Sequence, residues 1–395
     1  MSWPLVSLSS IAEVVTGNTP SKADESFFGG DIPFVSPSEL DLGYVSSSKQ
    51  TLTAKGASVS RLIPADSVMV CCIGSLGKVG ISSIPVVTNQ QINSLVVNHE
   101  VAYPLYVYYF CKTLKNTLND MAPKTTVAIV NKTKFSALKI PLPPLETQKK
   151  IAAVLEKADQ LRKDCQQMEQ ELNSLAQSVF IDMFGDPVTN PKGWDKAPLS
   201  AIIEEFLGGK SLVAADNQNT EYKNRVLKIS AVTSGEFKSK ESKPLPNDYE
   251  PQVEHFVKTG DLLFSRANTT ELVGATTMVF DQHTGLVLPD KLWRFVWKDE
   301  KSLSPVFIWQ QLCEAGVRKE ISKLSSGSGG SMKNISKGKL NTLQIVLPPL
   351  ELQQKFERIY LKLRVELSNN QQQAKFAVQA FNSLMQKAFK GELNL

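Results

Sequence analysis

Cysteine and histidine are scarce in this 395-residue chain, and their scarcity removes whole classes of chemistry. The five cysteines, Cys71, Cys72, Cys111, Cys165 and Cys313, are odd in number and form no CxxC pair, so no disulfide frame is expected and a reducing compartment is. His99, His255 and His283 are too scattered to argue a Ser/His/Asp set or a zinc site. No apolar run approaches the roughly 18 residues that cross a bilayer. The opening MSWPLVSLSSIAEVV lacks the basic start and apolar stretch of a signal peptide, and the expected location is cytoplasmic. Strong charge is missing too: a net charge of +5 permits a nucleic-acid partner without demanding one.

Catalytic motifs fail one by one. Gly208-Gly209-Lys210-Ser211 resembles the end of a phosphate-binding loop, but Glu204 stands where that pattern needs glycine. The glycines of Gly74-Ser75-Leu76-Gly77 have the wrong spacing for a dinucleotide fingerprint and read as a turn between strands. Asp290 with Asp299-Glu300-Lys301 could imitate a metal-dependent nuclease pair, yet the first half has no counterpart and a solvated charge run explains it as well. No catalytic or metal-ligating residue is assigned, and no cofactor is expected on this chain.

What the chain does have is a repeat. Leu142-Pro143-Pro144-Leu145-Glu146 returns as Leu347-Pro348-Pro349-Leu350-Glu351, an offset of 205 residues, too long for a solenoid unit and long enough for a domain plus its connector. Each copy opens a segment without Gly or Pro, from Leu145 to Phe184 and from Leu350 to about Lys390. Apolar steps of 4 and 3 through Val154, Ala158, Leu161, Cys165, Met168, Leu172, Leu175 and Val179 predict one heptad seam. Phe356, Tyr360, Leu363, Leu367, Asn370, Ala374, Ala377, Phe381, Leu384 and Ala388 predict the other. Helices of roughly 55 Å exceed any compact core, so they should connect two bodies. A duplicated chain that closes on itself sends the second helix back along the first, with Asn370 either fixing register on the seam or facing outward.

The globular parts are expected at 1–143 and 186–348, with the helices at 144–185 and 349–395. Ile32-Pro33-Phe34-Val35 and Ser67 to Ile73 are strand candidates, and Pro104 to Leu118 is a helix candidate. Arg225 to Ser230, Thr259 to Phe264 and Pro305 to Trp309 occupy matching places in the second half. The expected class is α+β: two mixed α/β globular domains joined by two long helices in an antiparallel coiled coil, a pseudo-two-fold tandem duplication.

Acids are absent from two matching stretches. Between Asp120 and Glu146 lie Lys124, Thr125, Thr126, Asn131, Lys132, Lys134 and Lys139. Between Glu320 and Glu351 lie Lys323, Ser328, Lys333, Asn334, Lys337 and Lys339. Lysines with Ser, Thr and Asn suit a phosphate backbone, although a solvated loop has the same composition. Lys78, Asn89, Gln90 and Gln91 in the first half, and Arg266, Asn268, Thr269, Lys291 and Arg294 in the second, add groups able to discriminate base edges. Trp293 could join them, or belong to the core.

Two variable domains, each closed by an LPPLE joint and a long helix, resemble the specificity subunit of a type I restriction-modification system. The resemblance spans the chain. It rests on Ile140-Pro141-Leu142-Pro143-Pro144-Leu145-Glu146-Thr147-Gln148, Met183-Phe184-Gly185-Asp186-Pro187, Ile345-Val346-Leu347-Pro348-Pro349-Leu350-Glu351-Leu352-Gln353 and Lys387-Ala388-Phe389-Lys390-Gly391-Glu392-Leu393. It implies a non-catalytic reader of double-stranded DNA whose target recognition domains each take one half of a bipartite, asymmetric site. The helices would set the spacing and dock two modification (methyltransferase) subunits, which bring S-adenosylmethionine and methylate adenine. Restriction subunits with ATP and Mg would join outside them. A stand-alone DNA-binding protein and a coiled-coil scaffold remain the alternatives. A self-contained methyltransferase fits less well: Asn190-Pro191-Lys192-Gly193 is the nearest approach to an NPPY motif and lacks its second proline and aromatic.

Overall fold

In the computed structural model, which describes residues 3–41, 43–123, 127–211, 222–327 and 332–393, the two stretches free of Gly and Pro are the helices Leu145–Phe184 and Leu350–Lys390. Each starts directly after its proline pair. Each stops at a glycine in the left-handed region, Gly185 and Gly391, both with φ of 75°. A Cβ would be strained there, so glycine ends the helix at little cost.

The chain divides into two compact units, Met1–Gln167 with Asn370–Leu395, and Met168–Asn369. Each unit therefore owns part of both long helices.

In the first unit a five-stranded sheet runs in the order Ala12–Thr16, Ile92–Val97, Val68–Cys71, Val79–Ser82, Gly43–Val45. A four-stranded sheet runs Gln50–Leu52, Phe28–Val35, Val86–Thr88, Leu62–Ile63. The helix Pro104–Thr113 is buried over most of its length. It can be apolar all round because it is enclosed: Tyr109 meets Phe381 at 6.2 Å and Tyr106 meets Phe389 at 5.3 Å on the returning long helix. The expected helix to Leu118 is broken at Leu114, after which Lys115–Met121 forms a separate segment. Ile151, Ala152 and Leu155 share a core with Phe381, Met385 and Ala388, while Cys165 meets Asn370, so the two helices run antiparallel here.

The second unit repeats this plan. Its four-stranded sheet, Ile203–Gly208, Leu292–Trp297, Leu262–Ser265, Thr276–Met278, has the order of the first four strands of the five-stranded sheet above. The parallel pair Arg225–Leu227 with Leu286–Val287 answers the parallel pair Phe28–Val35 with Val86–Thr88. Phe180, Phe184, Phe307 and Phe356 close its core with ring centroids 4.7–5.8 Å apart. Equivalent positions have changed chemistry: Tyr106 Oη donates to Pro141 O at 2.7 Å, whereas Gln311 accepts from Val346 N at 2.7 Å and donates to Val346 O at 3.1 Å.

The second helix keeps its expected seam, from buried Phe356 to buried Ala388. The first does not. Leu161, Met168 and Leu175 are 56%, 50% and 45% exposed, and the covered positions are Ala158, Arg162, Cys165, Glu169, Leu172, Ala176, Val179 and Met183. Spacing gave the period, but at alternate steps the covered position falls one residue later, at Arg162, Glu169 and Ala176, two of which are polar. Asn370 is 4% exposed and donates to Cys165 O at 2.8 Å, the residue 205 positions earlier and thus its own repeat equivalent. Its Oδ1 has no hydrogen-bond partner among the described residues. Asn370→Leu is therefore expected to raise stability by about 1 kcal/mol while relaxing helix register. A thermal melt and hydrogen exchange of the helix amides check both parts.

Candidate nucleic-acid interface

The described C-terminal parts of the two acid-free stretches, from 127 and from 332, fold alike in both units. In the first, Val130 donates its N–H to Cys72 O and Gly74 donates to Ala128 O, both at 2.9 Å, with Ile129 bridged to Ile73. The segment thereby extends the end of the strand Val68–Cys71. In the second, Ile335 donates to Arg266 O at 2.9 Å, and Lys333–Asn334 pairs with Ala267–Asn268. A short helix follows each segment. Asn131 Oδ1 caps Lys132–Ser136 through Lys134 N at 2.9 Å, and Ser336 Oγ caps Lys337–Asn341 through Lys339 N at 3.3 Å. Capping fixes the first turn, so Lys132 and Lys134, and Lys337 and Lys339, are presented exposed at matching places.

The remaining expected residues have varied fates. Asn89 and Gln91 bond each other at 3.0 Å, and Gln91 Nε2 donates to Ile73 O at 3.3 Å, so they brace the loop beneath Ile129. Gln90 is exposed, accepting from Thr19 Oγ1. Lys78 is half-buried at the end of the hairpin turn. Lys124, Thr125, Thr126 and Ser328 lie outside the described residues.

In the second unit Arg266 donates to Asp290 O at 2.8 Å and pairs with its carboxylate at 3.2 Å. Arg266 and Lys337 both lie over the Trp293 ring, at 5.8 and 5.9 Å. Trp293 is 6% exposed and stacks on Phe206, so it is a core residue, and its own ring serves the two cations. Lys333 donates to Gly327 O at 2.7 Å, and Asn268 Oδ1 accepts from Thr269 N at 2.8 Å. Thr269 is exposed and Lys291 half-buried beside this group.

Arg294 is drawn inward. Its guanidinium donates to Glu254 O at 2.7 Å and Phe256 O at 3.1 Å, and sits 3.4 Å from the Asp261 carboxylate. Burial pushes the Asp261 carboxyl above its ordinary value despite the Lys258 N–H and Arg294. That arrangement spends three of the five guanidinium N–H groups inside the unit, tying the strand Leu292–Trp297 to the segment around Glu254 and Phe256. Sequence reading saw a cation but not the carbonyls, which stand about forty residues away.

The motif-like glycines prove structural. A Cβ at Gly209 would lie 1.7 Å from Leu288 O, so close backbone approach explains that glycine. Asp299 caps a turn through Lys301 N at 3.0 Å, and no group of three potential metal ligands occurs among the described residues.

Residues 2–174 match the family model described as "Type I restriction modification DNA specificity domain". The MjaIX specificity subunit of Methanocaldococcus jannaschii is 23% identical over 100% of this chain and 94% of its own length. Over its whole length the chain is thus similar to type I specificity subunits. The MjaVIII specificity subunit of the same organism is 27% identical over 89% of this chain and 83% of its own length. Among solved structures, the type I restriction-modification S subunit from M. genitalium superimposes with a TM-score of 0.64 at 12% identity, over 98% of this chain and 96% of that one. The likeness in fold thus extends to the half of the chain beyond the matched residues, at low sequence identity.

Proposed function

We propose that the chain is the DNA-specificity subunit of a type I restriction-modification complex, each unit reading one half of a bipartite, asymmetric site in double-stranded DNA. The observation that carries this reading is the recurrence of one lysine-bearing segment, pinned to the same strand end and capped in the same way, with different side chains in the two units. Lysines that hold phosphates can stay constant while base-reading groups change. The contact set comprises Lys78, Gln90, Lys132 and Lys134 in the first unit and Arg266, Asn268, Thr269, Lys291, Lys333, Asn334 and Lys337 in the second.

The chain itself is non-catalytic in this proposal and binds no cofactor. S-adenosylmethionine, ATP and Mg belong to the modification and restriction subunits, and the complex works in the cytoplasm. The exposed stripe Leu161, Met168 and Leu175 on the first long helix supports docking of modification subunits, since apolar side chains at a seven-residue spacing suit a partner helix. The helix pair sets the spacer: 40 residues at about 1.5 Å each give roughly 60 Å, the length of about 18 base pairs. No helix among the described residues is long and apolar enough to cross a membrane.

A genome-wide adenine-methylation map with and without the chain tests the function. A split motif should vanish on deletion, and an unchanged map would overturn the proposal. For the interface, Lys132→Ala is expected to weaken all duplexes alike and to lower the slope of log K against log salt by about 1. Fluorescence anisotropy across a salt series reads both effects.

A further inference from the structure

The register of the two lysine-bearing segments singles out one position in each. Val130 and Ile335 are both 1% exposed and are tied by their N–H groups to Cys72 O and Arg266 O. Side chains alternate along extended backbone, so the preceding residues must face away from the core. They do: Ile129 is 45% exposed and Asn334 is exposed. The two stand at the same offset as the LPPLE joints and pair with equivalent strand ends, Ile129 with Ile73 and Asn334 with Ala267.

An isoleucine left nearly half in water on so firmly held a backbone contributes little to the core. The repeat places an amide at the same point, so the fold requires neither chemistry there. Among the described residues the Asn334 side chain bonds through Nδ2 alone, on Met332 O at a long 3.4 Å. Both positions lie a few residues before the exposed lysines that would hold phosphates.

Resting on the function proposed above, we propose that Ile129 and Asn334 are the equivalent base-reading positions of the two units, Ile129 packing on a thymine 5-methyl group and Asn334 pairing with the N6 and N7 edge of an adenine. The thymine methyl is the apolar feature of the major groove, and an asparagine amide matches the donor and acceptor of adenine. Each half-site then contains an A·T pair read with opposite chemistry.

The test uses the full chain assembled with its partner subunits and a random duplex library, with bound sequences read out. Enrichment of no duplex by the wild-type complex would overturn the function itself. With wild-type half-sites in hand, Ile129→Asn should change the preference at one A·T pair of one half-site, and Asn334→Ile at one A·T pair of the other. The untouched half-site and the spacer should remain. On the fixed wild-type site, replacing that thymine by deoxyuridine should weaken wild-type binding about 4-fold and leave Ile129→Ala unaffected. Replacing the adenine by 7-deazaadenine should weaken wild-type binding roughly 5- to 140-fold and leave Asn334→Ala unaffected. The assignment is overturned if folded variants, verified by circular dichroism, select the wild-type sequence or weaken both half-sites equally.

Discussion

Asp159→Ala is expected to lower the stability of the first unit by about 3 kcal/mol, the scale of a buried ion pair deprived of one partner. Asp159 lies on the long helix, 1% exposed. Its Oδ1 accepts from Arg162 Nη2 at 2.8 Å and Nε at 3.1 Å, and its Oδ2 stands 3.2 Å from Lys163 Nζ and 3.8 Å from Lys112 Nζ. Lys112 comes from the buried helix Pro104–Thr113 and lies over the rings of Tyr108 and Phe381. Burial pushes its pKa down, and the Asp159 charge is the largest influence in the opposite direction. Removing the carboxylate leaves that largely enclosed ammonium with only the weaker influence of Asp41, and the loss should appear as a lower urea midpoint at an unchanged slope.

Burial raises the Asp159 pKa, but Arg162, Lys112 and Lys163 lower it further, so the carboxyl ends below its ordinary value. A depressed carboxylate pKa contributes stability that is complete above the ordinary carboxylate range and disappears as the pH falls below about 4. Asp159→Asn keeps the shape and loses the charge, so its stability should be low at neutral pH and nearly flat where the wild type declines. Parallel curves for the two proteins between pH 5 and 2.5 would sink this account.

The same residue explains why one helix was legible in sequence and the other only in part. Periodicity registers apolar residues, and on the second helix the covered positions from Phe356 to Ala388 are mostly apolar. On the first, Asp159 and Arg162 are covered because Lys112 and Phe381 satisfy them, the latter ring 5.8 Å from the Arg162 guanidinium. Leu161, Met168 and Leu175 can then remain outside. Helix limits, by contrast, are written locally in the proline pairs and in Gly185 and Gly391, and these read directly.

The candidate interface divides along the same line. An acid-free run of lysines is visible in one dimension. The inward turn of Arg294 depends on carbonyls at Glu254 and Phe256, and the bracing roles of Asn89 and Gln91 depend on the Ile73 carbonyl. Those partners arrive only with the fold. The outward placement of Ile129 could have been inferred from the alternation with Val130, had the segment been recognised as extended.

Gln148→Ala and Gln353→Ala are each expected to cost about 3 kcal/mol, because each leaves two or more buried backbone groups unpaired at about 1–3 kcal/mol apiece. Gln148, fully buried, accepts from Tyr103 N at 2.9 Å and donates to Pro143 O at 2.8 Å and Val101 O at 3.2 Å. Gln353, 3% exposed, accepts from Ser304 N at 3.1 Å and donates to Pro348 O at 2.8 Å. In both units one amide thus ties the proline pair, and with it the first turn of a long helix, to the residue that opens the buried helix behind the sheet. The repeated glutamate of the joint does nothing comparable in the first unit, where the Glu146 side chain is 78% exposed and its salt bridge is to Lys149 on the surface, where solvent screens it. Urea unfolding of Glu146→Ala beside Gln148→Ala should separate them clearly. Gln148→Glu sharpens the distinction, since a carboxylate can still accept from Tyr103 but meets the oxygens of Pro143 and Val101 without a proton to offer. It should be less stable than Gln148→Ala at neutral pH and recover on acidification as the carboxyl protonates. A Gln148→Glu protein as stable as wild type at pH 7 would mean that the joint is held by its prolines alone and that the buried amide is incidental.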